Sequence, residues 1–350
     1  MAIIATPTRH GILCYEEQDR PIGRSLRIYG EWAEEELYLL SFFLHAGAVV
    51  VDVGANIGTH VLAFSRFVAP EGRVIAIEPQ EGVFDLLACN VLLNGLRHVT
   101  CIRALAGRET RMRFLPTTEC VSGTSASVSF VNIDGAGTAN TQGALVIPLQ
   151  LIKLDDLALA RCDLIKLDVE GMELDVLLGA GNTLGKYRPI VYFEQASKRR
   201  FAEVFSFFQA IDYLLFWHAA NPFNRQNFRG AEQNIFGGAR EINVLALPRE
   251  QTDRWSDQTI PLKQVRSPEY DAPPRLGPVP GWALPPTAYA NLPAPHPSSL
   301  LDSLAPHVRH AGSTRISWRL RQIADLARKL SRPQLRPQRS SPIQKPTRSG

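Results

Sequence analysis

Val49-Val50-Val51-Asp52-Val53-Gly54-Ala55-Asn56-Ile57-Gly58 reads as a buried strand that breaks into a glycine turn and then a helix. An unbroken β-branched run suits a parallel strand covered on both faces. Gly54 and Gly58 allow backbone N–H groups close to a ligand, because no Cβ stands in the way. The next apolar run, Arg73-Val74-Ile75-Ala76-Ile77-Glu78-Pro79, is a second strand ending in an acid. Glu78 follows Gly54 by 24 residues, close to the ~20-residue separation at which nucleotide-binding α/β units place a ribose-binding carboxylate.

The turn also says which nucleotide fits. Dinucleotide sites use G-x-G-x-x-G, whose middle glycine admits a pyrophosphate. Here Asn56 stands in that region, and the chain has no G-x-x-x-x-G-K-[ST] loop for a nucleoside triphosphate. A nucleoside without phosphates suits the turn better, and S-adenosylmethionine is the common one. Asp52 is placed to meet its ammonium group or to brace the turn, and Glu78 to accept from its ribose.

Further along, the pattern repeats. Residues 31–46 carry early acids and apolar residues at helical spacing, with Gly47 as the stop. A helix over 82–93 closes at Asn94-Gly95, and strands follow at 99–103, 163–168 and 189–194. Residues 104–150 are less regular, with small residues at Ser122–Ser129 and a Gly-rich stretch at Asp134–Gly143, and read as an inserted hairpin or lid. A helix at 199–211 and late strands at 213–217 and 242–247 complete a mostly parallel sheet with an antiparallel edge strand. Asp52, Glu78, Asp168 and Glu194 then all end strands on the carboxyl rim, where ligands of such sheets bind.

Composition separates the body from a tail. Residues 261–350 hold 14 Lys/Arg against 4 Asp/Glu and 16 of the 25 prolines, so they lack the apolar content for a compact core. The chain divides into an N-terminal extension (1–30), an α/β domain (31–250) and a basic tail (251–350). Within the tail, 313–331 has an amphipathic helical pattern suited to an acidic partner or an anionic membrane surface. The tail lacks interleaved aromatics and any reader motif, which disfavours nucleic acid. Five cysteines without a C-x-x-C pair argue for a reducing compartment. With no signal-peptide pattern and no apolar run near ~18 residues, a cytoplasmic location is expected.

The segments Val51–Gly58, Ala76-Ile77-Glu78-Pro79, Asn90 with Asn94-Gly95, and Ile165-Lys166-Leu167-Asp168-Val169-Glu170-Gly171-Met172-Glu173 resemble the FkbM-type methyltransferases. The resemblance runs from about Tyr29 to Val244 and leaves out the tail. It implies a seven-stranded, Rossmann-like class I fold using S-adenosylmethionine. It also implies O-methylation of a hydroxyl on a sugar, glycan or natural product, with cofactor roles for Asp52, Gly54, Asn56 and Glu78.

Transfer to a hydroxyl needs a group to take its proton, and Asp168, Glu170, Glu194 and His218 are the candidates. Asp168 and Glu170, two apart on an extended strand end, face one side and could receive the proton or hold a divalent metal. Glu170 serves equally as an acid at a helix N-terminus, and Lys166 as a charge partner for Asp168. Trp217, near Asn221 and Asn227, suits a sugar ring, whereas a lone His218 at a strand end is more often a structural hydrogen-bonder. His60 falls in the first helical turn, near the cofactor and without chemistry of its own. Two other readings use the same chain: an NAD-dependent oxidoreductase, which the missing middle glycine disfavours, and a non-catalytic scaffold acting through its tail.

Overall fold

The computed structural model describes residues 2–116, 146–195, 198–254 and 262–267. The small-residue stretch 122–129, the segment 134–143 and the tail helix 313–331 lie outside the described residues.

The central sheet is built from β3 (Val49–Val53), β4 (Arg73–Ile77), β5 (Val99–Ile102), β9 (Leu164–Leu167), β10 (Ile190–Glu194), β11 (Tyr213–Ala220), β12 (Glu241–Pro248) and β13 (Lys263–Gln264). Its order is β13-β11-β12-β10-β9-β3-β4-β5, with β5 through β10 parallel. The seven expected strands are present, and β13 adds a two-residue eighth at the rim. Antiparallel pairing occupies that edge: β13 pairs antiparallel with β11, and β12, two places in, runs antiparallel to both β11 and β10.

Helices cover both faces because side chains alternate along each strand. Val51, Val53, Ile165, Leu167, Val191 and Phe193 pack with α5 (Glu173–Leu178), α6 (Gly181–Tyr187) and α7 (Lys198–Ala210). Val50, Val74, Leu164, Ile190 and Leu245 face the other way, toward α2 (Glu34–Ser41), α3 (Thr59–Val68) and α4 (Glu81–Leu93). That second face also carries the polar residues of the site.

The first 30 residues are packed onto the domain. Strands β1 (Ile3–Thr8) and β2 (Gly11–Glu16) form a hairpin, followed by α1 (Ile22–Tyr29). Asn90 and Asn94 on α4 bond to the free edge of β2. Asn90 accepts from Cys14 N–H (2.7 Å) and donates to Cys14 O (3.0 Å), and Asn94 does the same at Ile12 (2.9 and 2.7 Å). Where an inserted hairpin was expected, β7 (Arg111–Pro116) and β8 (Val146–Ile152) pair antiparallel, and β6 (Leu105–Ala106) runs parallel to β8.

Candidate active site

Two rows of polar side chains cross the sheet on its α2–α3 face. In the lower row the register sets Lys166 beside both Asp52 and Tyr192. Two residues nearer the strand ends come Asp168, Glu194, Asn243 and His218; Glu194 pairs with Asn243 in register, and Asn243 with His218. The period of two along a strand therefore stacks a second polar layer on the first.

Lys166, 4% exposed, binds the lower row to the upper. Its ammonium lies 3.3 Å from Asp168 and 3.7 Å from Asp52. Burial by itself would lower the Lys166 pKa, but Asp168 and Asp52 overcome this and raise it. Asp52 is fully buried, and among the described residues its carboxylate is faced by the Lys166 ammonium at 3.7 Å. Burial raises its pKa against the opposing pull of Lys166.

Asp168 and Glu170 lie beyond the end of β9, so the shared strand face expected for them is not what joins them. Glu170 and Gly171 both adopt left-handed backbone (φ 51° and 93°), which folds the loop back on itself. One oxygen each of Asp168, Glu170 and Glu194 thereby falls within 4.8 Å of the others. The loop is pinned by Gly171 N–H donating to Glu173 (2.9 Å) and by Arg200 donating to Gly171 O (2.8 Å).

Asp168 and Glu194 bring one oxygen each within 4.8 Å of the other. Burial raises Glu194, helped by the charges of Asp168 and Glu170. Burial also opposes ionisation of Asp168, but Lys166 and Glu194 outweigh it and lower its pKa. The environment therefore favours ionisation of Asp168 over that of Glu194. The three carboxyl groups also offer the oxygen donors a divalent metal prefers.

Two clefts meet at Asp168 and Glu170. The first, about 620 Å³, is lined by Gly54, Asn56, Ile77, Pro79, Gln80, Ala104, Asp168 and Met172, among others. The second, about 760 Å³, is lined by Trp32, Glu36, His60, Lys166, Tyr192, Glu194, Glu241 and Asn243, among others. Asn56, Asp168 and Glu170 belong to both.

Of the residues assigned to a cofactor, Gly54 and Asn56 line the first cleft; Glu78, 4% exposed, is not among its lining residues but lies between two that are, Ile77 and Pro79. Glu78 accepts N–H from Asn56 (3.1 Å) and from Gln80 (2.9 Å), and burial raises it to about 7. Its remaining lone pairs can accept the hydroxyls of a ribose, so this wall fits a nucleoside cofactor. Asp52 and Gly58 line neither cleft. Every backbone N–H from Gly54 to Gly58 is already bonded within the protein, to Ile77 O, Glu78, Asn56 Oδ1 or Ala55 O. The turn is thus no cradle of free donors. Gly54 (φ 79°) is there because a Cβ would overlap the main-chain carbonyl of Asp168, and Gly58 (φ 92°) because a Cβ would press on Leu87.

His218 stands apart from the carboxylates. It is 3% exposed, its Nδ1 is 2.8 Å from the Tyr192 hydroxyl, and burial lowers its pKa to about 4. Trp217 is also buried, stacked on Phe201 with centroids 5.0 Å apart. Asn221 is spent on Glu35, and Asn227 on the carbonyls of Asn224 and Ala231. The aromatic at the second cleft is Trp32 instead.

Glu36 and Glu241 carried no signal in the sequence. Glu36 reads as one acid among three at a helix start, yet it accepts from Asn243 (3.0 Å) and lies 3.3 Å from His60 Nε2. Lys166 is the charge partner of Asp168 that its spacing suggested, and the same spacing, two residues before Glu194 on the neighbouring strand, is the signal that could have found Tyr192.

The family model described as Methyltransferase FkbM domain matches residues 52–229, just over half of the chain. The chain belongs to this methyltransferase family. The resemblance seen in the Asp52–Gly58 and Lys166–Glu173 segments is therefore borne out, and the oxidoreductase alternative falls. Among similar proteins, Methyltransferase sdnD of Sordaria araneosa is 29% identical over 163 residues, covering 39% of this chain and 61% of that one. Hexuronic acid methyltransferase AglP of Haloferax volcanii is 29% identical over 144 residues, covering 39% of this chain and 51% of that one. The chain thus spans between half and two thirds of these relatives. The crystal structure of a methyltransferase FkbM from Methylobacillus flagellatus aligns with 64% of this chain and 51% of its own, at 18% identity and a TM-score of 0.43.

Proposed function

We propose that the protein is an S-adenosylmethionine-dependent O-methyltransferase acting on a hydroxyl of a sugar, glycan or natural product. The observation that carries this is the junction of the two clefts at Asn56, Asp168 and Glu170. One cleft has a ribose-accepting wall at Glu78, and the other is polar with an aromatic side at Trp32. The hexuronic acid in the name of the AglP relative supports an acceptor of the sugar class.

When bound, the cofactor would supply an electrophilic methyl group. Asn56, Gly54 and the Glu78 wall hold the nucleoside end, and Trp32, Tyr192 and Asn243 position the acceptor. Alignment of this kind can supply ~7 kcal/mol or more of the barrier. Asp168, whose ionised form Lys166 favours, is the group that would take the acceptor hydroxyl's proton, and a placed base contributes ~10²–10⁴-fold. Glu170 is the neighbouring carboxylate that can assist, directly or with a divalent metal held among Asp168, Glu170 and Glu194. His218 acts behind Tyr192, fixing its hydroxyl.

The test is calorimetric titration of the full chain with S-adenosylmethionine and S-adenosylhomocysteine. Micromolar binding (about 8 kcal/mol) that weakens at least ~tenfold in Glu78→Ala supports the reading. Folded protein that gives no heat with either ligand overturns it.

A further inference from the structure

We infer that the second cleft takes an uncharged, hydroxyl-bearing acceptor and turns away sugar acids and sugar phosphates. This rests on the methyltransferase reading and narrows it. Five carboxyl groups surround the cleft: Glu36, Asp168, Glu170, Glu194 and Glu241. Among the described residues lining it, Lys166 is the one lysine or arginine. Its ammonium is already engaged by Asp52 and Asp168, at 3.7 and 3.3 Å. The His60 ring, the other group there able to carry positive charge, faces Glu36 at 3.3 Å. No cationic fork waits for a carboxylate or phosphate, in contrast to the bidentate arginine such groups favour.

The wall suits neutral ligands, because it mixes the Asn56 and Asn243 amides and the Tyr192 hydroxyl with carboxyl groups. Asn243 has its amide donating to Glu36, and the Tyr192 hydroxyl is held by His218. A hydroxyl donates and accepts and can join either kind of wall group. An anion can only accept, and each ionised neighbour repels it. One such contact weakens binding by about tenfold even with substantial screening.

The experiment starts from the full chain saturated with S-adenosylhomocysteine, whose own titration checks the cofactor reading separately. Methyl β-D-glucopyranoside and methyl β-D-glucuronide are then compared by ligand-observed NMR, in EDTA and again in Mg²⁺. The glucoside is expected to bind at least ~tenfold more tightly than the glucuronide in both buffers, and Glu241→Lys is expected to close much of that gap. Equal or tighter glucuronide binding in either buffer overturns the inference, and so does silence from both glycosides in protein that binds S-adenosylhomocysteine. If S-adenosylhomocysteine itself does not bind, the cofactor reading falls and this inference with it.

Discussion

The Lys166 ammonium lies 3.3 Å from the Asp168 carboxylate, and this contact links the polar row inside the sheet to the rim where the clefts meet. Lys166 also faces Asp52, which is fully buried, so its charge balances one acid that water cannot reach and a second, Asp168, that opens onto the clefts. Removing one partner of a buried pair typically costs ~3–5 kcal/mol. Lys166→Met is expected to lose that order of stability in urea unfolding. It should also raise the Asp168 pKa, so that the acid limb of the methyl-transfer pH profile moves upward.

The buried glutamates set a pH dependence of stability. Glu31, Glu35, Glu78 and Glu241 are each raised to about 7, and Glu194 to about 9, with burial the leading cause in every case. A raised folded-state pKa means that the folded chain holds protons the unfolded chain has released. The resulting stability is complete below the ordinary glutamate value and is lost as pH climbs through 7 toward 9. The Tm is expected to fall from pH 5 to pH 9. Glu194→Gln, which cannot ionise, should flatten the upper part of that fall in a thermal melt.

Glycine at 54 serves the turn and the neighbouring loop. Gly54→Ala places a methyl against the Asp168 carbonyl and puts alanine at φ 79°. S-adenosylhomocysteine affinity and Tm should both drop, because the loop bearing Asp168 and Glu170 must move. Gly185, inside α6 with open space where a Cβ would stand, is the control. Gly185→Ala should gain ~0.5–1 kcal/mol in the same melt.

The two tryptophans divide stability from binding. Trp217→Ala empties a buried stack against Phe201 and is expected to cost ~3–5 kcal/mol. Trp32→Ala should leave the melt nearly unchanged and weaken glycoside binding to the second cleft, read by the same NMR titration.

The strand–turn–helix, the order of the parallel units and the acids at their ends were legible in the sequence because each depends on local pattern. A β-branched run, a glycine pair and a carboxylate at a set distance are neighbours in the chain, and backbone sterics act on neighbours. Asn90 and Asn94 were legible only as a resemblance; their work on the edge of β2 bridges 76 and 82 residues. The convergence of Asp168, Glu170 and Glu194 was anticipated in part, but for the wrong geometric reason. Left-handed backbone at Glu170 and Gly171 brings the carboxylates together, where an extended strand was expected to do so.

Sequence by itself determined the class of fold, the glycine turn and the set of acids on the rim, since periodicity and spacing carry that information. Only tertiary structure decided which groups face a cleft. Asp52 and Gly58 went behind it, His218 and Trp217 into the interior, and Glu36, His60 and Trp32 into the lining. Register between strands far apart in the chain made Asp52, Lys166 and Tyr192 a row, and that alignment is set by packing whole strands against one another. The same packing strips water from the carboxyl groups and so decides which of them keep their protons.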